Sequence, residues 1–373
     1  MVDEAHKLKN HQTRNFGLVR DLHKHFLILI SATPLQNDLN ELYNLVSLVR
    51  PDLFGSYRIF ARQFMVDKRT PKNPEQLREL LSRVMVRNRR RDLEIYFPRR
   101  HVSMIPLELS PDEVALYRSV TDAVRHEYCR RLDQKASILP LLTLQREVCS
   151  SSFALRDTLL RMESGWLGER MQHLFQLAWS IRDNRKALVV EDLLPRIDGK
   201  AIIFTEFRAT QEYLARRLRE QGFSVILFHG GLGPQEKAQA IEHFRRSHQV
   251  LVSTECGGQG LNLQFCRHII NYDLPWNPMR VEQRIGRVHR LGQTDDVQIY
   301  NLYARNTIEE HILWLLHTKI DLFRPCRQRI MKKWPGGLTV SATRFSACTA
   351  GLSAGIAWPL SPVKVNVPVF HPR

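Results

Sequence analysis

Five short apolar runs, at 201–204, 225–228, 250–252, 268–272 and 297–302, alternate with stretches whose apolar residues recur at helical spacing. Runs that are apolar on both faces, each separated by room for a crossover helix, predict a parallel sheet covered on both sides. Pro234 stands where a first helical turn would begin, and Ala238, Ile241 and Phe244 then recur along one predicted face. The pattern therefore predicts one α/β lobe over 196–323.

Upstream, the pattern changes. Residues 107–195 carry Leu- and Arg-rich helical periodicity, strongest at 111–131 and 172–194, and predict a helical linker or brace. Residues 1–106 hold one predicted strand, 26–30, and one helix, 39–49, with Leu42, Leu45, Val46 and Val49 inward. A parallel sheet needs more strands than that, so 1–106 predicts the remainder of an incomplete first lobe. Beyond residue 323 the chain turns Pro-, Gly-, Ser- and Ala-rich without a sustained period, and little ordered structure is expected over 324–373.

Composition bounds the class. Apolar residues make up 43% and charged residues 25% of the 373, values typical of globular proteins. No apolar run reaches the roughly 18 to 20 residues that span a bilayer, and the N-terminus lacks a leader pattern, so a cytoplasmic protein without a membrane partner is expected. The six cysteines show no C-x-x-C pair and read as reduced thiols. The formal net charge of +17 suits a polyanionic partner, because Lys and Arg gain affinity by displacing counterions from phosphates. Eight of the basic residues, with no acid, lie in 324–373, so a basic surface unrelated to function accounts for part of the excess.

Three constellations carry chemistry. In Asp3-Glu4-Ala5-His6 the first acid suits a Mg²⁺ ligand and the second the polarisation of an attacking water. Ser31-Ala32-Thr33-Pro34-Leu35-Gln36-Asn37 follows after a strand-length interval and places hydroxyls and amides, Thr33 and Asn37 among them, at a strand end. The glycine-rich turn after Val250-Leu251-Val252, which carries Thr254 and Gly258, lets backbone approach phosphate closely. In Gln283-Arg284-Ile285-Gly286-Arg287-Val288-His289-Arg290, helical spacing predicts Gln283, Arg287 and Arg290 on one stripe and Val281, Ile285 and Val288 on another. Two guanidiniums on one face match phosphate oxygens, and such fingers contribute roughly 10³ to 10⁵ in rate. The basic segment from Arg87 to Arg91, with Arg99 and Arg100, fits either DNA phosphates or a solvated charge run.

With these motifs, and with Asn271-Tyr272-Asp273-Leu274-Pro275-Trp276-Asn277-Pro278, the chain resembles the Swi/Snf-type ATPases of helicase superfamily two, particularly the bacterial helicase-like members, over about nine tenths of its length. The resemblance implies two RecA-like lobes closing on ATP and Mg²⁺, with double-stranded DNA across both. It implies Asp3 as magnesium ligand, Glu4 as catalytic carboxylate and Arg287 and Arg290 as fingers. His6, Gln283 and Gly258 would lie by the nucleotide, and Thr33, Asn37, Thr254 and Arg87 would couple nucleotide state to DNA.

One departure bears on activity: the family's G-x-x-x-x-G-K-[ST] loop does not occur in these residues, and Gly199-Lys200-Ala201 cannot substitute. The expectation is an N-terminally truncated translocase fragment, active when a missing N-terminal half is supplied. The alternative is an inactive DNA-binding remnant.

Overall fold

The computed structural model describes residues 1–31, 39–68, 70–86, 98–134, 139–162, 167–168, 170–254 and 262–319. The chain divides into two compact units, Met1–Ile95 and Tyr96–Arg373. That division falls ahead of the 106/107 boundary expected from the periodicity.

The first unit opens with a short 3-10 helix, Ala5–Leu8, and continues with α1 (Arg14–Asp21), α2 (Leu39–Val49), α3 (Tyr57–Phe64) and α4 (Pro74–Ser82). Thr13 starts α1 by accepting the Phe16 N–H on its hydroxyl. On α2, Leu42, Leu45 and Val46 point inward as the spacing predicts, whereas Val49 is only half-buried. Its inner face meets an aromatic cluster in which Phe54, Phe60 and Phe64 pack with centroids 4.8–6.0 Å apart.

The strand predicted at 26–30 is corrected: it forms a single parallel bridge, Leu29 with Val2. The Val2 N–H donates to the Ile28 carbonyl at 2.8 Å and the Ile30 N–H to the Val2 carbonyl at 2.8 Å. Among the described residues no ladder extends beyond that bridge, and the alternation shows as burial only: Leu27 and Leu29 pack inward, while Phe26, Ile28 and Ile30 are exposed. Apolar alternation specifies a strand only where neighbours extend the ladder.

The second unit holds β1 (Arg100–Leu107), five helices, and then the alternating α/β region. The helices are α5 (Pro111–Gln134), α6 (Leu139–Ser150), α7 (Ser152–Arg161), α8 (Arg170–Ser180) and α9 (Arg185–Leu193). Then follow β2 (Ala201–Thr205), α10 (Arg208–Glu220), β3 (Val225–Phe228), α11 (Pro234–Arg246) and β4 (Val250–Thr254). The unit continues through β5 (His268–Asn271), α12 (Pro278–Val288), β6 (Val297–Ala304) and α13 (Ile308–Lys319). The six strands form one sheet in the order β1-β6-β5-β2-β4-β3, every pair parallel.

The expected two-sided sheet is what forms. Ile202, Phe204, Leu251 and Ile269 face α11, α12 and α13, while Ala201, Ile203, Val252 and Ile270 face α9 and α10. Successive strand residues point to opposite faces, so β2, β4 and β5, buried throughout, require apolar residues at nearly every position. On α11 the inward face is Ala240, Ile241 and Phe244, and Ala238 is exposed. A strict three-residue repeat drifts round a helix of 3.6 residues per turn, so it does not hold one face. The helical pattern at 172–194 is two helices, since α8 ends at Ser180 and α9 starts after Asn184.

Helices α5 to α8 enclose a separate apolar core built on Leu116, Val120, Leu144, Leu155, Leu159 and Leu174. Within these helices Glu147 is buried, with one carboxylate oxygen accepting the Thr158 hydroxyl at 2.7 Å and the other without a partner. Burial pushes its carboxyl up to about 7, against a smaller opposing effect of the Thr158 hydrogen bond. The folded state therefore holds this proton more tightly than the unfolded chain does. Stability from the protonated group is complete below an unfolded value of about 4.5 and falls as pH rises toward 7. Glu147→Gln is expected to raise stability by about 1–3 kcal/mol above pH 7 and to change little near pH 4.5, as urea unfolding at both pH values would show. Equal effects at the two pH values would contradict this.

Candidate functional site

In a parallel sheet every strand's C-terminal end lies on the same edge, and open α/β sheets bind ligands beyond that edge. Here the edge carries Thr205 at the end of β2 and Glu206 after it, Thr254 at the end of β4, and Asn271 at the end of β5 with Asp273 beyond it.

Asp273, 2% exposed, organises this edge. One carboxylate oxygen accepts from the Thr205 hydroxyl at 2.6 Å, the Glu206 N–H at 2.9 Å and the Ser150 hydroxyl at 2.9 Å. Its other oxygen lies 3.4 Å from the Lys186 ammonium, which also donates to the Tyr272 carbonyl at 2.8 Å and to Glu309. Lys186 is 1% exposed. Burial opposes its charge, but Glu309 and Asp273 outweigh that and hold its ammonium above the usual lysine range. Glu309 in turn accepts the Ala304 N–H at 3.0 Å. One buried cation thus joins α9, the end of β5 and α13.

The same segment fixes the start of α12. Asn277 accepts the Met279 N–H at 3.0 Å and Pro278 occupies the first turn, where its missing N–H costs nothing. From the second half of α12, Arg284 reaches back to the Asn271 side-chain oxygen at 3.0 Å and the Asp273 carbonyl at 2.7 Å, its guanidinium 5.2 Å from the Phe204 ring centroid. Asn271 also donates to Asn301 at 2.8 Å. Val281, Ile285 and Val288 are buried against the sheet, as the spacing predicts.

The guanidinium stripe differs from the expectation. Helix α12 ends at Val288, so Arg290 lies beyond it. Its Nε donates to the Gly286 carbonyl at 2.7 Å, closing the helix end instead of continuing a helical face. Gln283 is half-buried and Arg287 only 6% exposed, and the Arg287 carbonyl accepts the Leu263 N–H at 3.1 Å. That bond ties α12 to the chain following β4.

Arg100, expected either on DNA phosphates or in a solvated charge run, is instead engaged within the unit. It donates to Glu282 at 3.1 Å and, through Nε, to His289 Nδ1 at 3.0 Å. Since His289 Nδ1 accepts, its Nε2 carries the proton and donates to the Pro98 carbonyl at 2.8 Å.

In the first unit, Asp3, Glu4 and His6 come together. Asp3 is exposed and its carboxylate accepts the Glu4 N–H at 2.8 Å. His6 Nδ1 lies 3.1 Å from a Glu4 carboxylate oxygen. Glu4 holds φ 52° and ψ 44°, a left-handed conformation that costs a non-glycine residue about 1–2 kcal/mol. Its neighbour Ala5 is anchored by donating to the Ile30 carbonyl at 2.8 Å. An exposed aspartate fits Mg²⁺, which takes one or two carboxylates and fills its remaining positions with water and phosphate oxygens. Among the described residues no group of three or more His, Cys, Asp or Glu could hold a metal ion. Thr33, Asn37, Arg87 and Gly258 lie outside the described residues.

Sequence reasoning gave no role to Lys186, Glu309, Asp273, Ser150 or Arg284. The available signal was Lys186 itself, a charge on the inward face of α9 beside Ala187 and Val190. A cation on an apolar stripe requires a buried counter-charge.

Comparison with known proteins adds kinship to this geometry. The SNF2-related domain matches residues 1–154 and the helicase conserved C-terminal domain residues 185–292. YqhH of Bacillus subtilis (strain 168), an uncharacterized ATP-dependent helicase, is 46% identical over 330 residues, covering 87% of this chain and 58% of the relative. The DNA repair and recombination protein RAD54-like of Gallus gallus is 26% identical over 340 residues, covering 84% and 46%. The chain thus spans less than two thirds of these relatives. Among solved structures, the Sulfolobus solfataricus SWI2/SNF2 ATPase core in complex with dsDNA matches 87% of this chain and 67% of that one, at 24% identity and TM-score 0.43. Among the described residues no helix is long and apolar enough to cross a membrane.

Proposed function

The chain belongs to the Swi/Snf-type family of helicase superfamily two, and from that premise we propose that it forms the downstream part of an ATP-driven motor moving on duplex DNA. The observation that carries this reading is the mounting of α12: Asp273 and Arg284 pin the arginine helix to the edge of a parallel sheet where ligands bind.

In this reading Asp3 holds the magnesium ion and Glu4 orients and polarises the attacking water. Arg287 and Arg290 stabilise charge on the transferred phosphoryl group, and Gln283, Gly258 and His6 lie by the nucleotide. Bound Mg·ATP supplies the phosphoanhydride whose cleavage drives movement. Thr33, Asn37, Thr254 and Arg87 transmit nucleotide state to the DNA backbone, which is read through phosphates without base specificity. The amide nest that cradles the phosphates is contributed by polypeptide outside these residues, which contain no G-x-x-x-x-G-K-[ST] loop. On its own the chain is therefore expected to hydrolyse ATP slowly.

Duplex binding tests the reading. Anisotropy of a labelled 20-base-pair duplex should show affinity falling about 10- to 150-fold between about 50 and 200 mM salt, as two to four phosphate contacts require. No binding at low salt would remove the proposal. Salt-dependent binding with no measurable nucleotide affinity, alone or with an upstream chain, would instead favour an inactive DNA-binding lobe, the reading that the lacking loop supports.

A further inference from the structure

Away from the sheet edge, a ladder of alternating cations and aromatic rings crosses α10, α7 and α8. Arg216 lies 5.5 Å and Arg156 4.2 Å from the Phe153 ring centroid, and Phe153 stacks on Tyr213 at 4.2 Å with the planes 18° apart. Arg156 also lies 5.0 Å from the Trp179 ring, which stacks with Phe175 at 5.5 Å.

Arg156 is committed to the fold: its Nε donates to the Ala178 carbonyl at 2.8 Å, and a terminal nitrogen reaches the Trp179 carbonyl at 3.3 Å. It closes the C-terminal end of α8 and at the same time supports the last aromatic of that helix. Trp179 is thereby fixed in place, yet 60% exposed.

Basic side chains predominate among the described residues around this ring. Helix α8 contains Arg170 and His173 and no acid, and Arg182 and Arg216 are exposed nearby in sequence or along the ladder. Among the described residues of the flanking segments, Asp157 is paired with Arg161 and Asp183 with Arg217, while Glu163 and Glu169 lie outside the described residues. Gln172 and Gln176 continue the exposed face of α8 on which Trp179 lies.

We infer that this surface binds single-stranded nucleic acid, with an unpaired base stacked on Trp179 and the adjoining phosphates against Arg216 and Arg182. A polyanion with planar faces satisfies both halves of the ladder, whereas a duplex keeps its bases stacked on one another and offers the ring nothing. This inference needs neither nucleotide turnover nor the sheet edge, and so stands apart from the motor reading.

The test uses the full chain and three labelled probes: a 20-nucleotide oligo(dT), a 20-base-pair duplex and a 20-residue poly-glutamate peptide. Trp179→Ala is expected to weaken oligo(dT) binding about 5- to 100-fold and to leave duplex affinity unchanged, while Trp179→Phe retains most of the binding. Arg216→Glu should weaken oligo(dT) binding and make its loss with salt shallower than that of Trp179→Phe, because one fewer phosphate is neutralised. Thermal melts identify any variant that fails to fold, in which case Trp179→Phe against Arg216→Glu carries the comparison. Oligo(dT) affinity indifferent to Trp179, an equal loss for duplex and single strand, or Trp179-dependent capture of poly-glutamate in preference to oligo(dT) would each overturn the assignment. Failure of duplex binding with oligo(dT) binding intact would count against the motor reading alone.

Discussion

Lys186→Met is expected to lower the unfolding free energy by about 3–5 kcal/mol in urea titration. The methionine fills much of the lysine stem's volume, so packing changes little. What changes is charge. Asp273 and Glu309, 2% and 4% exposed, lose their common cation, and the Tyr272 carbonyl loses its donor. Asp273 keeps the Thr205, Ser150 and Glu206 donors, whereas Glu309 keeps the Ala304 N–H. Adding Glu309→Gln should therefore recover part of the loss, because the less supported carboxylate is the one neutralised. A single-variant loss below about 1 kcal/mol would mean that Lys186 does not bind these groups together in solution.

Removing either proposed finger should have the largest effect on rate. With a phosphate-cradling chain supplied in trans and duplex DNA present, Arg290→Ala or Arg287→Ala is expected to lower ATP hydrolysis by about 10³- to 10⁵-fold. The two differ in what else they do. Arg287 is nearly buried, so its removal should also cost stability, whereas Arg290, half-buried and bonded to Gly286 through Nε, should lose rate with little change in melting temperature. Arg290→Lys keeps the charge but loses the fork, and should recover only a small part of the rate. Stimulated hydrolysis that survives both alanine variants would refute the proposed roles.

The sequence made the sheet's centre plain and its margins obscure, for physical reasons. Strands β2, β4 and β5 are covered on both faces, so their residues are apolar almost without break. Strand β1 lies at the edge, tolerates Arg100, His101 and Pro106, and so shows no comparable run. The segment 26–30 misleads in the opposite sense, since it has a strand's alternation and, among the described residues, only Val2 to pair with. At α12 the periodicity foretold the packed stripe but not the helix end, because His289 and Arg290 leave helical geometry under the pull of Pro98, Arg100 and Gly286. Lys186 and Glu309 lie 123 residues apart, and no local pattern relates them.

The edge strand bears on how the molecule is made. Arg100 pairs in register with Val297, so β1 leaves the ribosome long before β6, its neighbour among the described strands, exists. At about 5–20 residues per second, that wait lasts about 10–40 s. During it, Val102, Met104 and Ile105 have no sheet to join, and the five helices that follow can collapse into their own core first. Closure of such a distant pairing is a slow, late event, and the nascent chain is then a natural client for chaperones that shield unpaired strands.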